Sequence, residues 1–130
     1  MIEYEKSFGD LYNDAKNKFG IQQPPKLILK KDKENAEKLF GRTAHYDPGN
    51  QTIVIFITNR HPKDILRSFC HELIHHVQNE RGDLNLGDAS SPTYAQDDKH
   101  MRKMEMEAYL KGNLLLRDFE DNFKYENKRS

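Results

Sequence analysis

The chain has 130 residues, with 21 Lys+Arg balanced by 21 Asp+Glu, one Cys and no Trp. That length fits one domain with one modest core, and an apolar share of 35% means the core should be small and the surface wet. Zero formal net charge leaves no global field to draw in nucleic acid or acidic membranes.

No apolar run approaches the roughly 18 residues of a membrane span, and Met1-Ile2-Glu3-Tyr4-Glu5-Lys6 is too polar for a signal peptide. A lone cysteine cannot form an internal disulfide, so the expected compartment is reducing and cytoplasmic. No membrane and no nucleic-acid partner is expected, and a monomer is.

Between Glu3 and Phe19 the residues Tyr4, Phe8, Leu11, Tyr12, Ala15 and Phe19 recur at helical spacing, and Gly20 follows as a stop. Pro24-Pro25 breaks the chain. Leu27-Ile28-Leu29, inside Lys26 to Lys30, is too short for a helix and suits a strand. The charged stretch Asp32 to Lys38 reads as a loop or a short helical turn.

Arg42-Thr43-Ala44-His45-Tyr46 is a weak, polar strand, and Asp47-Pro48-Gly49-Asn50 a turn in which glycine supplies the positive φ. Thr52-Ile53-Val54-Ile55-Phe56-Ile57 is a β-branched run that belongs at the centre of a sheet, with 42–46 at its edge. Pro62 can start a helix, which should run to about Arg81 with Gly82 ending it. Gly82 to Asp98 is a long loop. A last helix starts near Lys99 and reaches about Phe119 or beyond, with a frayed tail over residues 120–130. The order α-β-β-β-α-α gives an α+β fold in a single domain of residues 1–130: a helix, a three-stranded mixed sheet with an edge hairpin, then two helices.

The Pro62 helix carries His71-Glu72-Leu73-Ile74-His75. Histidines four apart lie about 40° apart around a helix, close enough for both imidazoles to meet one zinc ion. Glu72 points about 100° from His71, so it can reach a water on the metal without ligating, as a general base must. Ile65, Leu66, Phe69, Cys70, Leu73, Ile74 and Val77 form an apolar stripe, with Asp64, Arg67, Ser68, His71, His75 and Gln78 opposite. The bland alternative makes that second face ordinary solvated surface.

A catalytic zinc needs a third protein ligand and an open position. No histidine follows His75 at compact spacing, so the candidates are Glu105 and Glu107 on the last helix. Glu107 has Lys103 and Lys111 at i−4 and i+4, the pattern of a solvated charge face. Glu105 sits in the stripe Met101, Glu105, Ala108, Gly112, Leu115, Phe119. A carboxylate embedded there is costly without a partner, and a cation would be one, which favours Glu105.

With these residues the sequence resembles the gluzincins, zinc metallopeptidases that pair H-E-x-x-H with a glutamate on a later helix, and in length the minigluzincins. Glu105-Met106-Glu107-Ala108 matches their E-x-x-A segment. Tyr109 stands where many relatives carry an acidic residue that supports a zinc histidine. The resemblance covers roughly residues 40 to 116. It implies a zincin-like fold and a zinc-dependent endopeptidase in which His71, His75 and Glu105 hold Zn²⁺ and Glu72 is the base for a zinc-activated water. It also implies an edge strand, with Thr43, Ala44 and His45, that binds an extended peptide or protein substrate by β-addition.

A donor for the developing oxyanion is expected among Tyr94, His100 and Tyr109, without a choice between them. His76 is expected to flank the helix, His61 to serve its start, and Cys70 to be a packed thiol. The competing reading is a catalytically silent or latent zinc-stabilised module that holds a peptide, or its own tail, in the groove. A nucleic-acid accessory role has only scattered lysines behind it.

Overall fold

A computed structural model of the chain describes residues 4–34, 43–84 and 94–129. Helix α1, Tyr4–Phe19, forms from the expected periodicity and buries Phe8, Leu11 and Ala15. Gly20 takes a φ of 71°, and its N–H closes the last turn on the Lys16 carbonyl at 2.8 Å.

The sheet has strands β1 (Lys26–Lys30), β2 (Ala44–Asp47) and β3 (Thr52–Phe56) in the order β1-β3-β2. β1 runs parallel to β3 and β2 antiparallel to it, so the fold is α+β with a mixed sheet. β3 is central, and Thr52 to Ile55 are all buried, as its β-branched run on both faces requires. β2 is an edge strand, shifted from its expected span: it starts at Ala44 and includes Asp47, while Arg42 lies outside the described residues. β3 ends at Phe56, although the Ile57 N–H still reaches the Lys30 carbonyl.

The turn between them departs from expectation in one respect. Positive φ falls on Gln51, at 49°, and not on Gly49. The Asp47 carboxylate accepts from the N–H groups of Gly49 and Asn50 and from the Asn50 side chain, an Asx arrangement that leaves the chain reversal to be completed one residue beyond Asn50.

Helix α2, Pro62–Glu80, starts as the sequence indicates, with His61 as N-cap: its Nδ1 accepts from the Lys63 N–H at 3.0 Å. Arg81 is the C-cap, and Gly82, at φ 85°, follows. α2 is the hub of the molecule, packed against β2, β3, α1 and the last helix. The core joins its Ile65, Leu66, Phe69, Cys70, Leu73 and Val77 to Ile53 and Ile55 of β3 and to α1.

Arg60 clamps the start of α2 to the sheet. Its guanidinium donates to the Thr43 and Phe56 carbonyls and to the Asp64 carbonyl and Ser68 hydroxyl.

Helix α3, Tyr94–Arg129, starts earlier than the sequence indicated and runs beyond Phe119. Asp97 and Asp98 suit the first turns of a helix, and no Gly or Pro occurs after Gly112, so nothing in the tail breaks the helix near Phe119. The tail therefore continues α3 as far as Arg129. Of the expected loop over 82–98, residues 85–93 lie outside the described residues, as do 35–38 of the charged stretch. α3 buries Ala108, Leu115, Leu116 and Phe119 against the core. Among the described residues, no helix is long and apolar enough to cross a membrane.

Candidate metal centre

Two helices build the site. Gly112 is the point of closest approach, where a β-carbon would stand 3.1 Å from the Cα and N of His71. That contact lets α3 lie directly on α2, and Glu105, two turns earlier, then reaches across. Its Oε2 lies 3.1 Å from His71 Nε2 and its Oε1 2.9 Å from His75 Nε2. One ligand atom from each of the three residues falls within 4.8 Å of the others, close enough to bind a metal ion.

The face of α2 that carries the histidines is solvated at Asp64 and Arg67, half-buried at His71 and covered from His75 onward. His75 is 7% exposed and Gln78 fully buried, because α3 packs over them. Burial holds His71 below the usual imidazole value; the neighbouring His75 acts the same way, and Glu105 opposes both. A neutral imidazole is the form that ligates a metal.

Burial also pushes the Glu72 carboxyl up, to about 8, and the negative Glu105 adds to the effect. Glu72, His75 and Glu105 line a cleft of about 310 Å³ together with Ala44, His45, Tyr46, Pro48, Leu84 and Met101.

Glu105 and Glu107 separate clearly. Glu107 accepts from Arg81 through both terminal nitrogens, from Lys111 and from Gln78, and these bonds hold its carboxyl down at about 2, Arg81 contributing most. Among the described residues its hydrogen bonds and ion pairs go to Arg81, Lys111 and Gln78, and none to His71 or His75. The burial argument for Glu105 was nonetheless wrong in its premise, since the Glu105 side chain is 57% exposed and that of Glu107 only 21%. The stripe places Glu105 at the rim of the helix contact, not inside it.

The edge strand needs a similar correction. The Phe56 N–H donates to the Thr43 carbonyl, and in an antiparallel pair such bonded positions alternate. Thr43, His45 and Asp47 therefore point their main-chain groups at β3, while Ala44 and Tyr46 point theirs outward. Side chains alternate as well: Ala44 and Tyr46 pack on the core, so the His45 imidazole lies on the far face, 6.4 Å from the Phe56 ring. His45 lines the cleft as part of the strand. Of Thr43, Ala44 and His45, Ala44 alone turns its main-chain groups away from β3, and Tyr46 does the same.

Of the oxyanion candidates, Tyr109 stands beside the site, its ring 6.4 Å from that of His71. His100 is engaged elsewhere, its Nε2 2.6 Å from the Asp83 carbonyl oxygen. The Tyr94 side chain lies outside the described residues. His76 is fully buried away from the cluster. Cys70 is buried, as expected of a packed thiol, and burial pushes the thiol up.

No protein-family model matches the chain, and no curated protein or solved structure matches it either. The arrangement of these residues is thus the ground for any functional reading.

Proposed function

We propose that the protein is a zinc-dependent endopeptidase of gluzincin type, acting on extended peptide segments. One observation carries the reading: a carboxylate from a separate helix, Glu105, meets both histidines of the H-E-x-x-H sequence at hydrogen-bonding distance. The donor set suits zinc, since two imidazoles and one carboxylate are the ligands of many catalytic sites. An exposed third ligand also leaves one side of the cluster open for substrate.

Zinc, when bound by His71, His75 and Glu105, supplies a Lewis acid that polarises a peptide carbonyl and makes water acidic near neutral pH. The chain's own residues do the rest. Glu72, held in the same cleft, takes a proton from the attacking water and delivers it to the leaving amine. Burial alone favours the protonated form of Glu72, and the charge of a bound zinc would draw the carboxyl back toward the ionised form that a base needs. Ala44 and Tyr46 hold the substrate backbone by main-chain hydrogen bonds along the β2 edge, and backbone recognition suits a chain of zero net charge. Among the described residues, Tyr109, beside His71, is the candidate donor to a developing oxyanion.

The test is zinc content and cleavage of an unfolded protein such as casein, in wild type, His71→Ala and Glu72→Ala. His71→Ala should lose zinc. Glu72→Ala should keep zinc and fold but lose cleavage by about 10²-fold or more. Zinc binding with no cleavage by wild type on any substrate would point to a peptide-holding module.

A further inference from the structure

Gln78, on the polar face of α2, is fully buried and makes three hydrogen bonds. Its Nε2 donates to the Met104 carbonyl at 2.9 Å and to Glu107 Oε1 at 2.8 Å. Its Oε1 lies 2.8 Å from Nδ1 of His75. Both partners of Nε2 are pure acceptors, a carbonyl and a carboxylate held ionised by Arg81 and Lys111. The amide nitrogen must therefore face α3, and the amide oxygen must face His75.

An amide oxygen can only accept, so His75 Nδ1 carries the proton. In the neutral imidazole the lone pair is then on Nε2, the atom that lies 2.9 Å from Glu105. The next residue is set the opposite way. His76 Nε2 lies 2.7 Å from the Gln23 carbonyl and must donate to it, so its Nδ1 accepts from the Tyr46 hydroxyl at 2.7 Å. Two adjacent histidines thus carry opposite tautomers, one aimed at the cluster and the other committed to tying α2 to β2 and the α1–β1 connection.

We infer that Gln78 is the positioning residue that fixes His75 as its Nδ1–H tautomer and aims Nε2 at the His71–Glu105 cluster, with Glu107 and Arg81 locking the amide. This takes over the supporting task for which the position after Ala108 holds only Tyr109. It gives Glu107 a task as well: its carboxylate decides which end of the Gln78 amide faces His75. The consequence for metal affinity rests on the zinc reading above, whereas the tautomer does not.

The experiment has two arms. Long-range ¹H–¹⁵N spectra of the metal-free protein, at about pH 8.5 where imidazoles are neutral, locate the His75 proton. It should sit on Nδ1 in wild type. In Gln78→Met, which keeps the length but removes the acceptor, it should move to Nε2 and face Glu105. Competition with a chromophoric chelator then measures zinc affinity, which should fall about 10- to 100-fold in Gln78→Met.

The double variant Gln78→Glu with Glu107→Gln exchanges amide and carboxylate while keeping an acceptor toward His75, so it should restore Nδ1–H and most of the affinity. The same tautomer in wild type and Gln78→Met overturns the inference, as does an Nε2–H tautomer in the double variant. The double variant decides alone if Gln78→Met does not fold. Failure of wild type to bind zinc would remove the metal reading and leave the tautomer result to judge Gln78.

Discussion

Gly112 packs on the backbone of His71, and this close approach sets the distance between the two helices that carry His71, His75 and Glu105. All three nearest neighbours of a β-carbon at 112 are backbone atoms of Cys70 and His71, at 3.1–3.2 Å, which cannot rotate away.

Gly112→Ala should gain about 1 kcal/mol of helix propensity and lose about 1–3 kcal/mol from overpacking. The second effect should win, because the clash is with main chain. Urea unfolding should show a net loss of about 1 kcal/mol, and zinc affinity should fall because Glu105 moves with α3. A midpoint equal to or above wild type would contradict the close-approach account.

Tyr46→Phe should destabilise by about 1–3 kcal/mol. The hydroxyl donates to His76 Nδ1 and accepts from Asn79 Nδ2 at 3.0 Å, so its loss strands a fully buried ring nitrogen. Chemical denaturation checks the size of the effect. A change indistinguishable from zero would mean the Tyr46–His76 bond does not tie β2 to α2.

Glu107 gives the fold an acid dependence. Its folded carboxyl is held at about 2, below the ordinary 4.5, chiefly by Arg81. A depressed folded value stabilises above the unfolded one, so this contribution is complete above about pH 4.5 and is lost as pH falls through about 2. Urea midpoints of wild type and Glu107→Gln, compared across that window in chelator, should converge as pH falls. Parallel curves would show that the Arg81 bonds do not depress the group.

Cys70 should resist a thiol reagent in the native protein, being fully buried with its thiolate disfavoured. Labelling should occur at the rate of unfolding. Rapid stoichiometric reaction under native conditions would contradict the packing of α2 on α1 and the sheet.

Much of this was legible in local pattern. The periodicity of α1, the β-branched run of β3, His61 before Pro62, and H-E-x-x-H are all features of consecutive residues, and each appears where expected. What escaped depends on tertiary placement. Gln78 is polar and lies on the polar side of its helix, so nothing local marks it as buried; α3 covers it. The choice of Ala44 and Tyr46 over Thr43 and His45 as outward-facing residues depends on hydrogen-bond register with β3, which a one-residue slip would reverse. Glu105 was reached for a mistaken reason, since helix-face arithmetic cannot tell the rim of a contact from its centre. The early start of α3 was missed because polar residues without Gly or Pro, such as Gln96, Asp97 and Asp98, read equally well as loop or as solvated helix.

The most direct test of the central claim is anomalous scattering at the zinc edge from crystals grown with zinc. One peak per chain is expected, at about 2.0–2.2 Å from Nε2 of His71, Nε2 of His75 and a carboxylate oxygen of Glu105. Absence of a peak there, or zinc held by Glu107 in place of Glu105, would contradict it.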